Sequence, residues 1–241
     1  MNKTKNEKEI IQNNMDKTKI KKVIHENDKN PVLITGDCGE SVSFSVDIEK
    51  STMVIEGKGV VTRPINNFDD IKHLVKEIYI TSGITGIGDK AFSGFNLLES
   101  VVMPGSVKTI GSYVFSRCTS LKEVIFSANI DAFGTHVFNE CVSLTHMTFP
   151  PSIKMIPEAT FKKCTYLRNV IIPNTIEKIS KDAFCDCASI LEIDIPSSVR
   201  EIASNAFEGC ITLTSIRLTS GTTSIGKDAF IRTPLDKLFN R

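Results

Sequence analysis

The sequence predicts a solenoid built on a parallel β-sheet, and three observations predict it. Phe92, Phe115, Phe138, Phe161, Phe184, Phe207 and Phe230 follow one another at intervals of 23 residues. The same interval governs aliphatic columns: Leu98, Leu121, Leu144, Leu167, Ile190 and Leu213 lie six residues after the phenylalanines, and Val101, Val124, Met147, Val170, Ile193 and Ile216 lie nine after. In four units a proline, Pro104, Pro150, Pro173 or Pro196, closes the apolar run, where its missing N–H ends strand pairing. A unit of 23 residues is too small to bury these columns alone, so the units must stack. Strands stacked about 4.8 Å apart put like residue over like, and each column becomes a ladder.

The elements follow in chain order. Residues 1–30 are rich in Lys, Asn and Glu, with Ile10, Ile11, Met15, Ile20, Val23 and Ile24 only loosely at helical spacing. They are expected to form a polar arm, and the interleaved Glu7, Glu9, Asp16 and Glu26 weaken a polybasic reading toward lipid or RNA. Residues 31–67 precede the repeats, which fill 68–241 and open on an incomplete unit with Val75, Ile78, Ile80, Ile84 and Ile87 in register. Each full unit reads L-x-x-L-x-L, ending at Met103, Phe126, Phe149, Ile172, Ile195 or Leu218. Burying the seven ladder phenylalanines, at about 1.5–3 kcal/mol each, outweighs any single polar contact.

Three residues after the phenylalanines stand Phe95, Cys118, Cys141, Cys164, Cys187, Cys210 and Thr233, so five of the seven cysteines share one column. A column spreads its sulfurs along the solenoid axis, whereas zinc needs ligands converging on one point. The slot also accepts Phe95, and the ladder thiols are read as small buried hydrophobes. Cys38 and Cys185 lie outside the column and are expected to be the more reactive thiols. The histidines, His25, His73, His136 and His146, share no short spacing, and no acid, base and nucleophile recur together. No catalytic residue, cofactor or metal ligand is assigned, and the chain is read as a non-enzyme.

At 241 residues and 41% hydrophobic content the chain can bury the core of one domain. A formal net charge of +1 argues against a duplex nucleic-acid surface. No uninterrupted apolar run approaches the length of about 18 residues that a membrane span needs. The opening stretch MNKTKNEKEIIQNNMDKTK lacks the apolar core of a secretory signal, so a cytoplasmic location is expected.

LEIDIPSSVREIASNAFEGC at 191–210 and VVMPGSVKTIGSYVFSRC at 101–118 resemble the BspA-like leucine-rich repeats. Upstream, ITGDCGESVSFSVDIEKSTMVIEGKGVV looks like the hairpin that precedes the first repeat in that family. The resemblance implies an α/β fold: a right-handed horseshoe with its strands on the concave side, short helical or extended turns on the convex side, and an N-terminal β-hairpin cap. It implies binding of a protein partner, with adhesion to host or matrix proteins at the cell surface as the alternative, and no catalytic residues.

Side chains alternate faces along a strand, so the residues between core columns point out of the sheet. One such file reads Tyr79, Val102, Ile125, Thr148, Ile171, Asp194 and Arg217, apolar at its start and charged at its end. Tyr79, Val102, Ile125, His146, Arg168, Ile171, Glu192, Asp194 and Arg217 are the candidate partner-binding residues. Strand propensity alone also places β-branched residues there. At the far end, a further strand would need apolar residues at 236, 239 and 241, where the chain supplies Asp236, Phe239 and Arg241. The strand carrying Ile216 and Leu218 is therefore expected to be an open edge through which two copies could pair. The alternative is that residues 231–241 fold back as a cap.

Overall fold

The computed structural model describes residues 21–23, 33–62, 68–126 and 130–239. The arm expected over residues 1–30 lies outside them except for β1 (Lys21–Val23). β1, β2 (Leu33–Gly39), β3 (Val42–Asp47) and β4 (Thr52–Gly57) pair antiparallel in that order. Alternation buries Ile34, Phe44, Val46, Met53 and Ile55 on one face. β4 then turns from hairpin strand to repeat strand, because its other edge pairs in parallel with β6 (Glu77–Ile80). β5 (Gly59–Val61) does the same on the flanking wall, pairing in parallel with β7 (Ile84–Ile87).

Beyond this start each unit contributes one strand to each wall. The broad wall continues from β6 through β8 (Ser100–Met103), β10 (Glu123–Phe126), β12 (His146–Thr148), β14 (Asn169–Ile171), β16 (Glu192–Ile195) and β18 (Ser215–Leu218). The flanking wall continues from β7 through β9 (Thr109–Ile110), β11 (Ala132–Phe133), β13 (Met155–Ile156), β15 (Lys178–Ile179), β17 (Glu201–Ile202) and β19 (Ser224–Ile225). All pairing within the repeats is parallel and in register, as with Ile193 beside Ile216 and Ile195 beside Leu218. The turns opposite the broad wall are not helical; among the described residues the one α-helix is α1 (Asp236–Phe239).

The prolines act as the sequence predicts, and their effect can be read bond by bond. Where the residue after the strand has an N–H, it donates to the preceding strand, Thr81 to the Ile55 carbonyl at 2.9 Å and Thr219 to Ile195 at 3.4 Å. Proline deletes that bond. β6 and β8 accordingly pair over three residues, stopping before Pro104, while β8 and β10 pair over four. The ladder is interrupted between β10 and β12 and between β14 and β16, at the units of Pro150 and Pro196, whereas the Pro173 unit keeps three paired residues with β12, so a proline shortens the pairing without by itself breaking it.

Phe92 through Phe230 form one buried stack, with centroids 5.2–5.7 Å apart and planes within 18° of parallel. The stack begins earlier than the 23-residue count reaches: Phe68 lies 6.1 Å from Phe92, and Phe44 meets Phe68 edge-on. Behind it runs the cysteine ladder, fully buried. Each thiol donates to the phenylalanine carbonyl of the preceding unit, as Cys141 Sγ does to Phe115 O at 3.0 Å and Cys187 Sγ to Phe161 O at 3.1 Å. The turns around the stack hold left-handed residues at two fixed places, two before and two after each phenylalanine, for example Tyr113 and Arg117 around Phe115 or Asp182 and Asp186 around Phe184. The reversals aim alternate N–H groups at the next unit: Tyr113, Phe115 and Arg117 donate to Thr135, Val137 and Asn139.

The C-terminal end is capped on the phenylalanine side, because α1 lays Phe239 on Phe230 at 4.3 Å between centroids and buries Leu235. Over residues 231–239 this is the fold-back that the sequence offered as the alternative to an open edge, and it supplies the next rung by a helical turn. One expectation needs correction. Cys38 and Cys185 are not exposed thiols; they are 1% and 3% accessible, and burial pushes both up to about 12.

Candidate protein-binding face

The broad wall buries its inward columns and presents the residues between them. Tyr79, Val102 and Ile125 are 47%, 39% and 46% exposed on three adjacent strands, and the pairing sets Tyr79 beside Val102 and Val102 beside Ile125. Val54 of β4 stands beside Tyr79 and extends the row by one strand. Sequence reasoning missed it, because β4 lies outside the repeat count; the signal was the alternation Met53, Val54, Ile55 at the hairpin's end. Beyond Val54 the row turns polar at Ser45 and Thr35.

The polar groups beside the row make contacts with one another within the face. Tyr79 Oη donates to Glu77 Oε2 at 2.7 Å, which pushes the phenol above its usual value. Lys122 Nζ lies 2.6 Å from Glu99 Oε2, and this contact, helped by Lys76, holds the Glu99 carboxyl below the usual range. His146 Nε2 is 3.8 Å from Glu123, and Arg217 Nη1 is 3.3 Å from Asp194. These pairs are solvent-exposed, and screening by water leaves them little weight in stability.

The break between β10 and β12 opens a groove of about 420 Å³ lined by Ile125, Phe126, His146, Thr148, Phe149, Pro150 and Pro151. It divides the predicted residues into two groups. Tyr79, Val102 and Ile125 form one continuous apolar row; His146 borders the groove; Arg168, Ile171, Glu192, Asp194 and Arg217 follow on the later strands, all exposed. Ile171, 68% exposed, is separated from Ile125 by Thr148 and the break. At the far end Ile216 and Leu218 are half-buried, and Ile225 of β19 is 38% exposed where its counterpart Ile202 is fully buried.

Among the described residues no group of three or more His, Cys, Asp or Glu side chains could hold a metal ion, and no helix is long and apolar enough to cross a membrane. Stacked ladders carrying an outward-facing strand wall define the chain as a leucine-rich-repeat solenoid, a class that is generally a non-enzymatic scaffold. The model of the BspA type Leucine rich repeat region matches residues 62–167 and 132–239 in six copies, and the chain belongs to that family. Comparison with curated proteins gives no match.

Among solved structures, the chain is similar to a leucine-rich repeat protein of T. pallidum, with 25% identity and a TM-score of 0.64 over 83% of this chain and 91% of that one. It is also similar to a leucine-rich repeat protein from Bacteroides ovatus, with 23% identity and a TM-score of 0.65 over 81% of this chain and 56% of that one. A leucine rich cell surface protein from Faecalibacterium prausnitzii shares the fold at 18% identity and a TM-score of 0.50, over 86% and 76% of the two chains.

Proposed function

We propose that this chain is a non-catalytic protein-binding scaffold that engages its partner through the outward face of the broad wall. One observation carries the reading: Tyr79, Val102 and Ile125 stand exposed side by side in register, with half-buried Val54 extending the row, on strands fixed by ladders beneath them. Contiguous exposed apolar groups on a rigid surface are what partner sites present. His146, Arg168, Ile171, Glu192, Asp194 and Arg217 form the outer part of the site. The reading places the protein in the cytoplasm, supported by seven unpaired thiols of the kind a reducing compartment maintains. Ile216 and Leu218, whose strand β18 pairs with β16 alone among the described residues, are the edge through which two copies would associate.

The test is recovery of a stoichiometric partner on the native chain compared with a Tyr79, Val102, Ile125 triple aspartate variant whose circular dichroism and melting temperature match the native chain. Loss of the partner supports the reading, and full retention moves the site elsewhere. Fractionation with protease shaving of intact cells separates the cytoplasmic location from a surface adhesin.

A further inference from the structure

We infer that the partner lays an amphipathic α-helix along the row from Val54 to Ile125, across the strands rather than parallel to them. This rests on the proposed use of the broad wall and names what fits it. The four side chains belong to neighbouring strands in register, so they recur about every 4.8 Å along the solenoid axis and span about 14 Å. A helix recurs every 5.4 Å, and its positions i, i+3, i+7 and i+10 span about 15 Å, close to one apolar group per strand. An extended peptide lying the same way repeats its side chains about every 6.8 Å on one face and falls out of step at the second strand.

The charges decide the rest of the partner's chemistry. Glu77 accepts from Tyr79, Glu99 is held by Lys122, and Glu123 faces His146. Of the three, only Glu99 has a cation on it; Glu77 keeps its charge when it accepts from a phenol, and His146 offsets Glu123 only when protonated, so the complement is an apolar stripe whose borders carry no acidic residue. The row also has ends: Ser45 beyond Val54, and the ladder break beyond Ile125. A stripe of about three turns fills it.

The probes are three labelled synthetic peptides of one composition, Leu in an Ala/Gln background. One carries Leu at i, i+3, i+7 and i+10, one carries Leu at every second residue, and one spreads Leu around the helix. Fluorescence anisotropy with the full chain should show the striped helix binding at least about tenfold more tightly than either control, with the advantage lost in Val102→Asp. The affinity should be nearly unchanged between low and high salt, since the peptides' side chains carry no charge. Tyr79→Ala, a truncation at an exposed site, provides a second variant if Val102→Asp fails to fold. If the alternating peptide binds as tightly and is also lost in Val102→Asp, the helix is overturned and the binding face stands. If no peptide binds, or binding ignores both variants, the helix is overturned, and the fate of the face rests on the triple variant.

Discussion

Raising the pH should unfold this protein abruptly, and the cysteine ladder sets where. Burial raises the thiols of Cys118, Cys141, Cys164, Cys187 and Cys210, with Cys118 at about 12 and the others at least as strongly displaced. In the unfolded chain a thiol titrates near 8.5 to 9. The folded values lie above the unfolded ones, so this part of the stability is complete below about pH 8.5 and is lost as pH climbs toward 12. While the folded thiols stay protonated, the loss depends only on the unfolded value. At pH 10 it is about 1.4–2 kcal/mol per thiol, or about 7–10 kcal/mol for five. That equals the whole stability of many domains, about 5–15 kcal/mol. Far-ultraviolet circular dichroism followed from pH 7 to 11 should therefore show a cooperative loss centred near pH 10. The reagent-accessible thiol count should rise from near zero to seven over the same interval, including Cys38 and Cys185. A fold that persists at pH 10.5, or ladder thiols that label rapidly at pH 8, would refute the reasoning.

Three further outcomes follow from the turns and the ends. Lys163 is exposed at φ 62°, so Lys163→Gly should raise the unfolding free energy from urea titration by about 0.5–1 kcal/mol; Gly94→Ala, at φ 80° with open space around the new methyl, should cost about 1 kcal/mol, and equal signs for the two would contradict the left-handed assignment. Phe239→Ala removes the ring stacked on Phe230 and should cost about 2 kcal/mol, with hydrogen exchange accelerating first over residues 213–233; uniform acceleration would mean that the cap does not protect the last unit locally. Sedimentation equilibrium should show concentration-dependent dimers that Ser215→Lys suppresses by adding charge beside Arg217 on the open strand, whereas a clean monomer at high micromolar concentration would leave β18 a solvated edge.

Most of the fold was legible because the repeat makes each inference several times over. A single Phe92 says little, but seven at one spacing exclude everything except stacked units. What was hidden lies where that redundancy fails. Phe68 is 24 residues from Phe92 rather than 23, and one extra residue removed it from the count although its ring continues the stack. Phe239 joins the same stack through a helical turn, which no 23-residue register can anticipate. Val54 escaped because β4 serves two roles, hairpin strand on one edge and repeat strand on the other. Ile171 was counted with Ile125 because both occupy one position of the repeat, whereas the ladder break that separates them leaves no mark in the 23-residue register. Cys185 was misread for the converse reason: a residue outside the column was taken to be outside the core, yet the turn folds it under its neighbours.

The cysteine column shows how far composition alone can carry such an argument. Valine or alanine would satisfy an apolar slot as well as cysteine does, so hydrophobicity does not explain why five successive units share the same residue. The phenylalanine carbonyl supplies the reason. Phe115 O already accepts the Cys118 N–H at 3.1 Å within its own turn, and its second lone pair faces a buried space where no water can reach. The thiol of the next unit, Cys141, fills that space and donates weakly into it at 3.0 Å, adding packing and partial satisfaction at once. Serine would donate more strongly but leave a larger gap, and valine would fill the gap with no donor. At the first unit the slot holds Phe95, packed edge-on between Phe68 and Phe92, and at the last it holds Thr233, whose hydroxyl donates to its own unit's Phe230 at 2.6 Å. The ladder is thus cysteine in the five internal units and departs from cysteine at the two ends, where Phe95 packs against rings and Thr233 bonds within its own turn.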